Sequence, residues 1–169
     1  MTKFSLKRLV LAGLFAALTT VATLISVPLP FGYANLGDLI VILCGVLLGP
    51  VYGGLAAGIG SALSDLALGY VLYSPVTFII KGLMTVIVWL FTQNFTKRYF
   101  TLRFFIGSFL AELFMVAGYL AFELFIYGVG AFASIPGNTI QATVCYIAAI
   151  IVFIILKRTR VLYRLKSLI

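Results

Sequence analysis

Five ionisable side chains stand inside otherwise apolar sequence: Asp38, Asp65, Lys81, Glu112 and Glu123. At the centre of a membrane helix such a group costs about 2.5–3.5 kcal/mol on the insertion scale, so it needs a partner, water or a task. The chemistry open to them is narrow. Histidine is absent, which excludes histidine metal sites and histidine-assisted serine or cysteine nucleophiles. Cys44 and Cys145 lie in apolar runs with no CxxC spacing and read as small buried hydrophobes. An intramembrane aspartyl protease needs two facing aspartates, one usually in Gly-x-Gly-Asp. Asn35-Leu36-Gly37-Asp38 is a near miss and Ser64-Asp65 does not match. No GxxxxGK[ST] loop is present, so any ATP-driven work requires other subunits. No metal, cofactor or catalytic residue is expected, and the chain does not read as an enzyme.

What remains is binding. Four acids face one lysine, which favours a ligand that is cationic or rich in hydrogen-bond donors. Phe31, Tyr33, Tyr70, Tyr73, Tyr119 and Tyr127 offer flat faces near the same level. They read either as an interfacial aromatic belt or as the wall of a pocket for a flat heteroaromatic ring. Two structural readings also stay open. Lys81 can form an ion pair, for example with Asp65, and Asp38 can cap the helix that follows Gly37.

Composition sets the stage for these groups. Of 169 residues, 63% are hydrophobic and 9% charged, against roughly 25% charged in a soluble domain. Such a chain cannot cover a water-facing surface. It is read as one integral membrane domain over residues 1–169, and soluble enzymes, nucleic-acid-binding modules and disordered tails are excluded together. Net charge is +8, with eleven of the twelve Lys and Arg residues in three clusters. These are Lys3, Lys7 and Arg8; Lys97, Arg98 and Arg103; and Lys157, Arg158, Arg160, Arg164 and Lys166. Clusters of this kind flank membrane spans on the cytoplasmic side.

A spanning helix needs about 20 apolar residues. Residues 9–27 supply the first, stopped by Pro28 and Pro30; the run is too long for a signal-peptide core and no cleavage site follows. Further spans are expected at 37–49, 53–70, 75–95, 103–128 and 138–156. Six helices put both termini in the cytoplasm with all three basic clusters, and leave the Lys- and Arg-free loops 28–36, 71–74 and 129–136 outside. An all-α, six-span bundle is the expected fold.

This topology gives the polar residues a depth. Asp38, Asp65, Lys81, Glu123, Asn138 and Gln141 fall in the outer part of their helices, with Glu112 near mid-membrane, above an almost wholly apolar inner half. At about 3.6 residues per turn, Glu112, Tyr119 and Glu123 fall within about 40° of one another and span about 16 Å. The pattern describes a pocket opening outward over a sealed floor. Small residues recur at four-residue spacing at Ala12 and Ala16, Gly13 and Ala17, Gly45, Gly49 and Gly53, Gly54 and Gly58, and Ala57 and Ser61, where helices can approach closely. On the first helix they serve either the bundle or a partner. No strong internal repeat supports an inverted-repeat transporter.

Tyr33-Ala34-Asn35-Leu36-Gly37-Asp38, then Leu48-Gly49-Pro50-Val51-Tyr52-Gly53-Gly54, Gly60-Ser61-Ala62-Leu63-Ser64-Asp65-Leu66, Gly69-Tyr70, Tyr73-Ser74-Pro75-Val76-Thr77-Phe78 and Ile80-Lys81-Gly82 form a recognisable series. It resembles the S component of energy-coupling factor (ECF) vitamin transporters, in the riboflavin-type branch that also holds hydroxymethylpyrimidine and pyridoxine members. The resemblance covers nearly the whole chain and is densest at 30–85. It implies a six-helix, multi-pass subunit of the bacterial plasma membrane that captures a vitamin from outside. It also implies association with a transmembrane coupling (T) subunit and two cytoplasmic ATPases. The family's Ala-x-x-x-Ala docking motif on the first helix is matched by Ala12 and Ala16, with Gly13 and Ala17 repeating the spacing.

From depth and polarity the expected ligand contacts are Tyr33, Asn35, Asp65, Tyr70, Lys81, Glu112, Tyr119, Glu123, Asn138 and Gln141. The acidic excess favours pyridoxine, pyridoxamine or hydroxymethylpyrimidine, whose ring nitrogens accept a proton. Riboflavin, larger and uncharged, is the alternative ligand; a stand-alone transporter or channel and a membrane enzyme are the alternative functions.

Overall fold

A computed structural model describes residues 6–28, 33–94 and 99–168. Phe31 and Pro30 therefore lie outside the described residues, as do Lys3, Lys97 and Arg98 of the basic clusters. Helix α1 (Leu6–Leu24) leads to a short antiparallel hairpin, β1 (Ser26–Pro28) with β2 (Tyr33–Asn35), in register Ser26 to Asn35 and Pro28 to Tyr33. Then come α2 (Gly37–Ala67), α3 (Ser74–Thr92), α4 (Phe100–Tyr127), a 3-10 helix (Gly128–Ser134), α5 (Ile135–Arg158) and α6 (Val161–Leu168). Among the described residues, four helical stretches are long and apolar enough to cross a membrane: α1, α2, α3, and the run from Phe100 to Arg158. The architecture is that of an all-α membrane protein.

Two of those stretches are compound. Gly49 adopts φ 79°, ψ −171° inside α2 and Pro50 follows it, so the hydrogen-bond ladder breaks there. The arms 37–48 and 50–67 replace the expected 37–49 and 53–70, with the turn contracted to a single glycine. Likewise the 3-10 segment Gly128–Ser134 separates α4 from α5. Within the expected loop 28–36, Tyr33–Asn35 pairs with Ser26–Pro28 as a hairpin, and the basic tail is partly the helix α6.

The first arm of α2 is the centre of the bundle. Residues 41–48 are all buried, as suits a segment that is apolar all round. Around it pack Ile80, Met84 and Val88 of α3, Phe104, Ala111 and Met115 of α4, and Cys145, Ala149 and Phe153 of α5. At the end away from the hairpin, Phe104 stacks on Phe153 with ring centroids 3.8 Å apart, and Leu162 of α6 is fully buried.

Small residues set the helix spacing. A Cβ at Gly60 would lie 2.4 Å from the Ala16 carbonyl oxygen, and one at Gly53 would lie 2.5 Å from the Cys44 carbonyl oxygen. The α1–α2 contact also carries hydrogen bonds. Thr20 Oγ1 lies 3.0 Å from the Gly60 carbonyl oxygen, and Ser64 Oγ lies 3.1 Å from the Thr20 carbonyl oxygen. These contacts fix where the hairpin-side ends of α1, α2 and α3 converge, which is where the polar residues gather.

Candidate ligand-binding site

The polar network starts from a buried ion pair. Lys81, on the second turn of α3, places Nζ 2.5 Å from Oδ1 of Asp38 at the start of α2. Both side chains are at most 4% exposed. The second Asp38 oxygen accepts from Gln141 Nε2 of α5 at 2.7 Å. Gln141 Oε1 in turn accepts from the backbone N–H and the side-chain amide of Asn35, each at 3.1 Å. Asn35 Oδ1 accepts from the Gly37 N–H at 2.8 Å. One chain of contacts thus joins α3, α2, α5 and β2. A buried carboxylate is tolerated when its charge is paired and its remaining lone pairs are satisfied, and Asp38 meets both conditions.

Two expectations are corrected here. Lys81 pairs with Asp38 rather than Asp65, because the start of α2 and the second turn of α3 meet at one level. Asp38 is not a cap: the N-cap is Leu36, with no side-chain capping bond, and the carboxylate turns inward to the lysine.

Beside this network lies a cavity of about 40 Å³. Its walls come from seven elements or turns. α1 gives Thr23 and β2 gives Asn35; α2 gives Ser61 and Asp65; the turn before α3 gives Tyr70 and Tyr73; α3 gives Thr77 and Lys81. α4 contributes Tyr119 and Glu123, and α5 contributes Asn138 and Gln141. Lys81 Nζ sits 5.3 Å from the Tyr119 ring centroid, within reach of the ring's negative face. The Tyr119 hydroxyl and Thr77 Oγ1 are 2.9 Å apart. Tyr73 donates to Glu123 Oε1 at 3.2 Å, and Ser134 Oγ bonds the other Glu123 oxygen. Tyr73 also packs edge-on to Tyr70 and Phe122, with centroids 6.2 and 5.4 Å away.

Of the expected contacts, Asn35, Asp65, Tyr70, Lys81, Tyr119, Glu123, Asn138 and Gln141 surround this one cavity. Tyr33 is described only in its backbone, as a residue of β2. Glu112 is buried but is not among the lining residues. It shares the helical phase of Tyr119, yet seven residues of helix put it about 10 Å deeper. Both its carboxyl oxygens are buried without a hydrogen-bond partner among the described residues. Thr23, Ser61, Tyr73 and Thr77 were missed. Three of them had a signal: Tyr73, Thr77 and Lys81 recur every four residues, as do Ser61 and Asp65, which places each set on one helix face. Thr23 has no such signal and joins only because α1 packs on α2.

The lysine's charge is taken up by Asp38, so Asp65 and Glu123 give the cavity an acidic balance, with amides and tyrosines between them. The small residues of α1 lie elsewhere. Ala12 is buried against the bundle and Ala16 packs its carbonyl on Gly60, whereas Gly13 and Ala17 are exposed.

The profile of the family described as "ECF-type riboflavin transporter, S component" matches residues 3–158. The chain belongs to that S-component family. It is thus a multi-pass membrane protein of a vitamin transport system. It is also 38% identical over 129 residues to a protein of Pyrococcus woesei, described as "Uncharacterized protein in gap 3'region". That match covers 75% of this chain and 84% of the relative. In this S component the ion pair lies at the base of the cavity's polar wall, and the two halves of the pair depend on each other. Lys81→Met leaves Asp38 charged and buried, and is expected to cost about 3–5 kcal/mol. Adding Asp38→Asn should recover a large part of that loss. Thermal unfolding of the four proteins in detergent checks it, and additive losses would contradict the pairing.

Proposed function

We propose that the protein is the substrate-binding subunit of an ECF-type importer. It crosses the membrane six times with both termini in the cytoplasm, and it captures a small vitamin or vitamin precursor from outside. The Gly49 break in α2 and the 3-10 segment after α4 support six spans. The placement of Arg8, Arg103 and the Lys157–Lys166 basic residues at helix ends away from the hairpin supports the orientation. Uptake is driven by a T subunit and two ATPases of the importer, because this chain carries no ATP-binding loop. Gly13 and Ala17, open on α1, are the residues that meet the T subunit. Ala12 and Ala16 support them from within the groove between α1 and α2.

The observation that carries the ligand reading is the acidic balance of the cavity: Asp65 and Glu123 line it, while Lys81 is matched by Asp38. A protonatable pyridine or aminopyrimidine satisfies such a site, which favours pyridoxine, pyridoxamine or hydroxymethylpyrimidine. Size points the same way. Binding cavities run to about 300–1,000 Å³, so the walls must part to admit a ligand, and a single ring requires less opening than a three-ring isoalloxazine. Riboflavin is the second reading, favoured by the description of the matching family.

Mass spectrometry of small molecules released from protein purified in mild detergent tests the ligand. A stoichiometric vitamin B6 form or aminopyrimidine is the expected result. Riboflavin would keep the transport function and overturn the charge argument. Docking is tested separately. A Cβ at Gly13 meets no atom within 4 Å, so Gly13→Leu should leave folding and ligand binding intact while abolishing uptake by the reconstituted importer. Unchanged uptake would remove α1 as the docking surface.

A further inference from the structure

Near the midpoint of α4 stands a polar spot that the cavity does not include. It consists of Glu112 and Ser108, one helical turn apart on the same face. Ser108 is fully buried and Glu112 is 3% exposed. Neither the Ser108 hydroxyl nor either Glu112 carboxyl oxygen has a hydrogen-bond partner among the described residues. Other buried helix hydroxyls behave differently. Thr19, Ser64, Thr85 and Thr92 each bond the carbonyl oxygen four residues back, at 2.8–3.0 Å. Ser108 leaves that bond unmade, so its hydroxyl is open to the carboxyl beside it.

The groups that face Glu112 decide its charge. They are Asp38 of α2 and Lys81 of α3, whose fields reach its carboxyl, and the free thiol of Cys145 on α5. Lys81 and Asp38 are in direct contact, and Gln141 bonds the second Asp38 oxygen, so those two charges already cancel. An ionised Glu112 would add one net negative charge to the core, with no donor on either oxygen. A buried charge without a partner is far costlier than a buried neutral group. One proton on Glu112 removes that charge. The carboxyl O–H and the Ser108 hydroxyl can then satisfy each other across one turn by side-chain rotation.

We infer that Glu112 is a proton-binding site and the reserve counter-ion of Lys81. The buried group of Lys81, Asp38 and Glu112 holds one proton and has two neutral arrangements. In the first, Lys81 lies on Asp38, as in the structure, and the proton is on Glu112. In the second, the proton is on Asp38 and the ammonium lies on the Glu112 carboxylate. The exchange brings no net charge into the core. It draws Lys81 out of the cavity wall toward the middle of α4. It also weakens the Asp38–Gln141 contact, which is stronger to a carboxylate than to a neutral acid. The position of one proton is thereby tied to the shape of the cavity, as a local charge change biases a two-state element. This holds whatever ligand the cavity takes, so it does not rest on the vitamin reading.

Infrared difference spectroscopy of the full chain in detergent at neutral pH, with no ligand added, tests this. A neutral carboxylic acid has a carbonyl stretch distinct from that of a carboxylate. Glu112→Gln should remove one neutral-acid band from the wild-type spectrum and leave the carboxylate bands unchanged. Its thermal midpoint should stay close to wild type, because glutamine copies the shape of the neutral acid. Asp38→Asn takes away the partner of Lys81, so Glu112 should ionise and the same neutral-acid band should disappear. The Asp38→Asn, Lys81→Met double variant should keep that band. Loss of a carboxylate band in Glu112→Gln, with the neutral-acid region unchanged, would overturn the proton site. A neutral-acid band of Glu112 that persists in Asp38→Asn would overturn the exchange. So would an Asp38→Asn protein that fails to fold until Lys81→Met is added, since Lys81 would then have had no second counter-ion.

Discussion

The buried contact between Lys81 and Asp38 constrains the hairpin end of this bundle. A lone lysine or aspartate among these apolar helices carries a desolvation penalty that only an opposite charge and further hydrogen bonds can offset. Satisfying the pair requires α2 and α3 to start at matching levels. Satisfying the second Asp38 oxygen brings in Gln141 of α5, and Gln141 holds Asn35 at the end of the hairpin. The α1–α2 contact then follows from close approach at Gly60. Polar residues that look scattered in sequence are one connected structure, and the cavity is the space beside it.

The two ends of the molecule do different physical work. The hairpin end is polar, with carboxyls, amides and tyrosine hydroxyls facing one another across a small cavity. The opposite end is apolar inside, closed by the Phe104–Phe153 stack and by α6. Below the ion pair the central arm of α2 presents Val41 to Leu48, all buried. That asymmetry agrees with the proposed capture of a solute from one face.

Much of this was legible in the sequence because membrane burial makes polarity informative. In a chain with 9% charged residues, each ionisable group within a span marks a place where helices meet. Eight of the ten expected contact residues surround one cavity for that reason. The differences have physical causes. Helical phase put Glu112 with Tyr119 and Glu123, but phase fixes direction and not depth: Glu112 lies about 10 Å below Tyr119, outside the lining of the cavity. Lys81 was offered Asp65 because both fell in the outer third of neighbouring helices. Pairing depends on how helices rotate against each other: Gly45 and Gly58 on α2 meet the Thr85 and Phe78 backbones of α3, and their small-residue spacing marks a close approach without saying which helix it faces. The hairpin was missed because its strands are three residues long and gain stability only from packing on α1 and α5.

The central claim is that the cavity, with Asp65 and Glu123 in its wall, is the vitamin site. Equilibrium titration of purified protein with pyridoxamine, hydroxymethylpyrimidine and riboflavin tests it most directly, comparing wild type with Asp65→Asn, Glu123→Gln and Glu112→Gln. Tight binding of one of the single-ring ligands is expected. That affinity should weaken at least tenfold, about 1.4 kcal/mol, in Asp65→Asn and Glu123→Gln, and change far less in Glu112→Gln. Wild-type affinity in both cavity variants, or a loss confined to Glu112→Gln, would contradict the account.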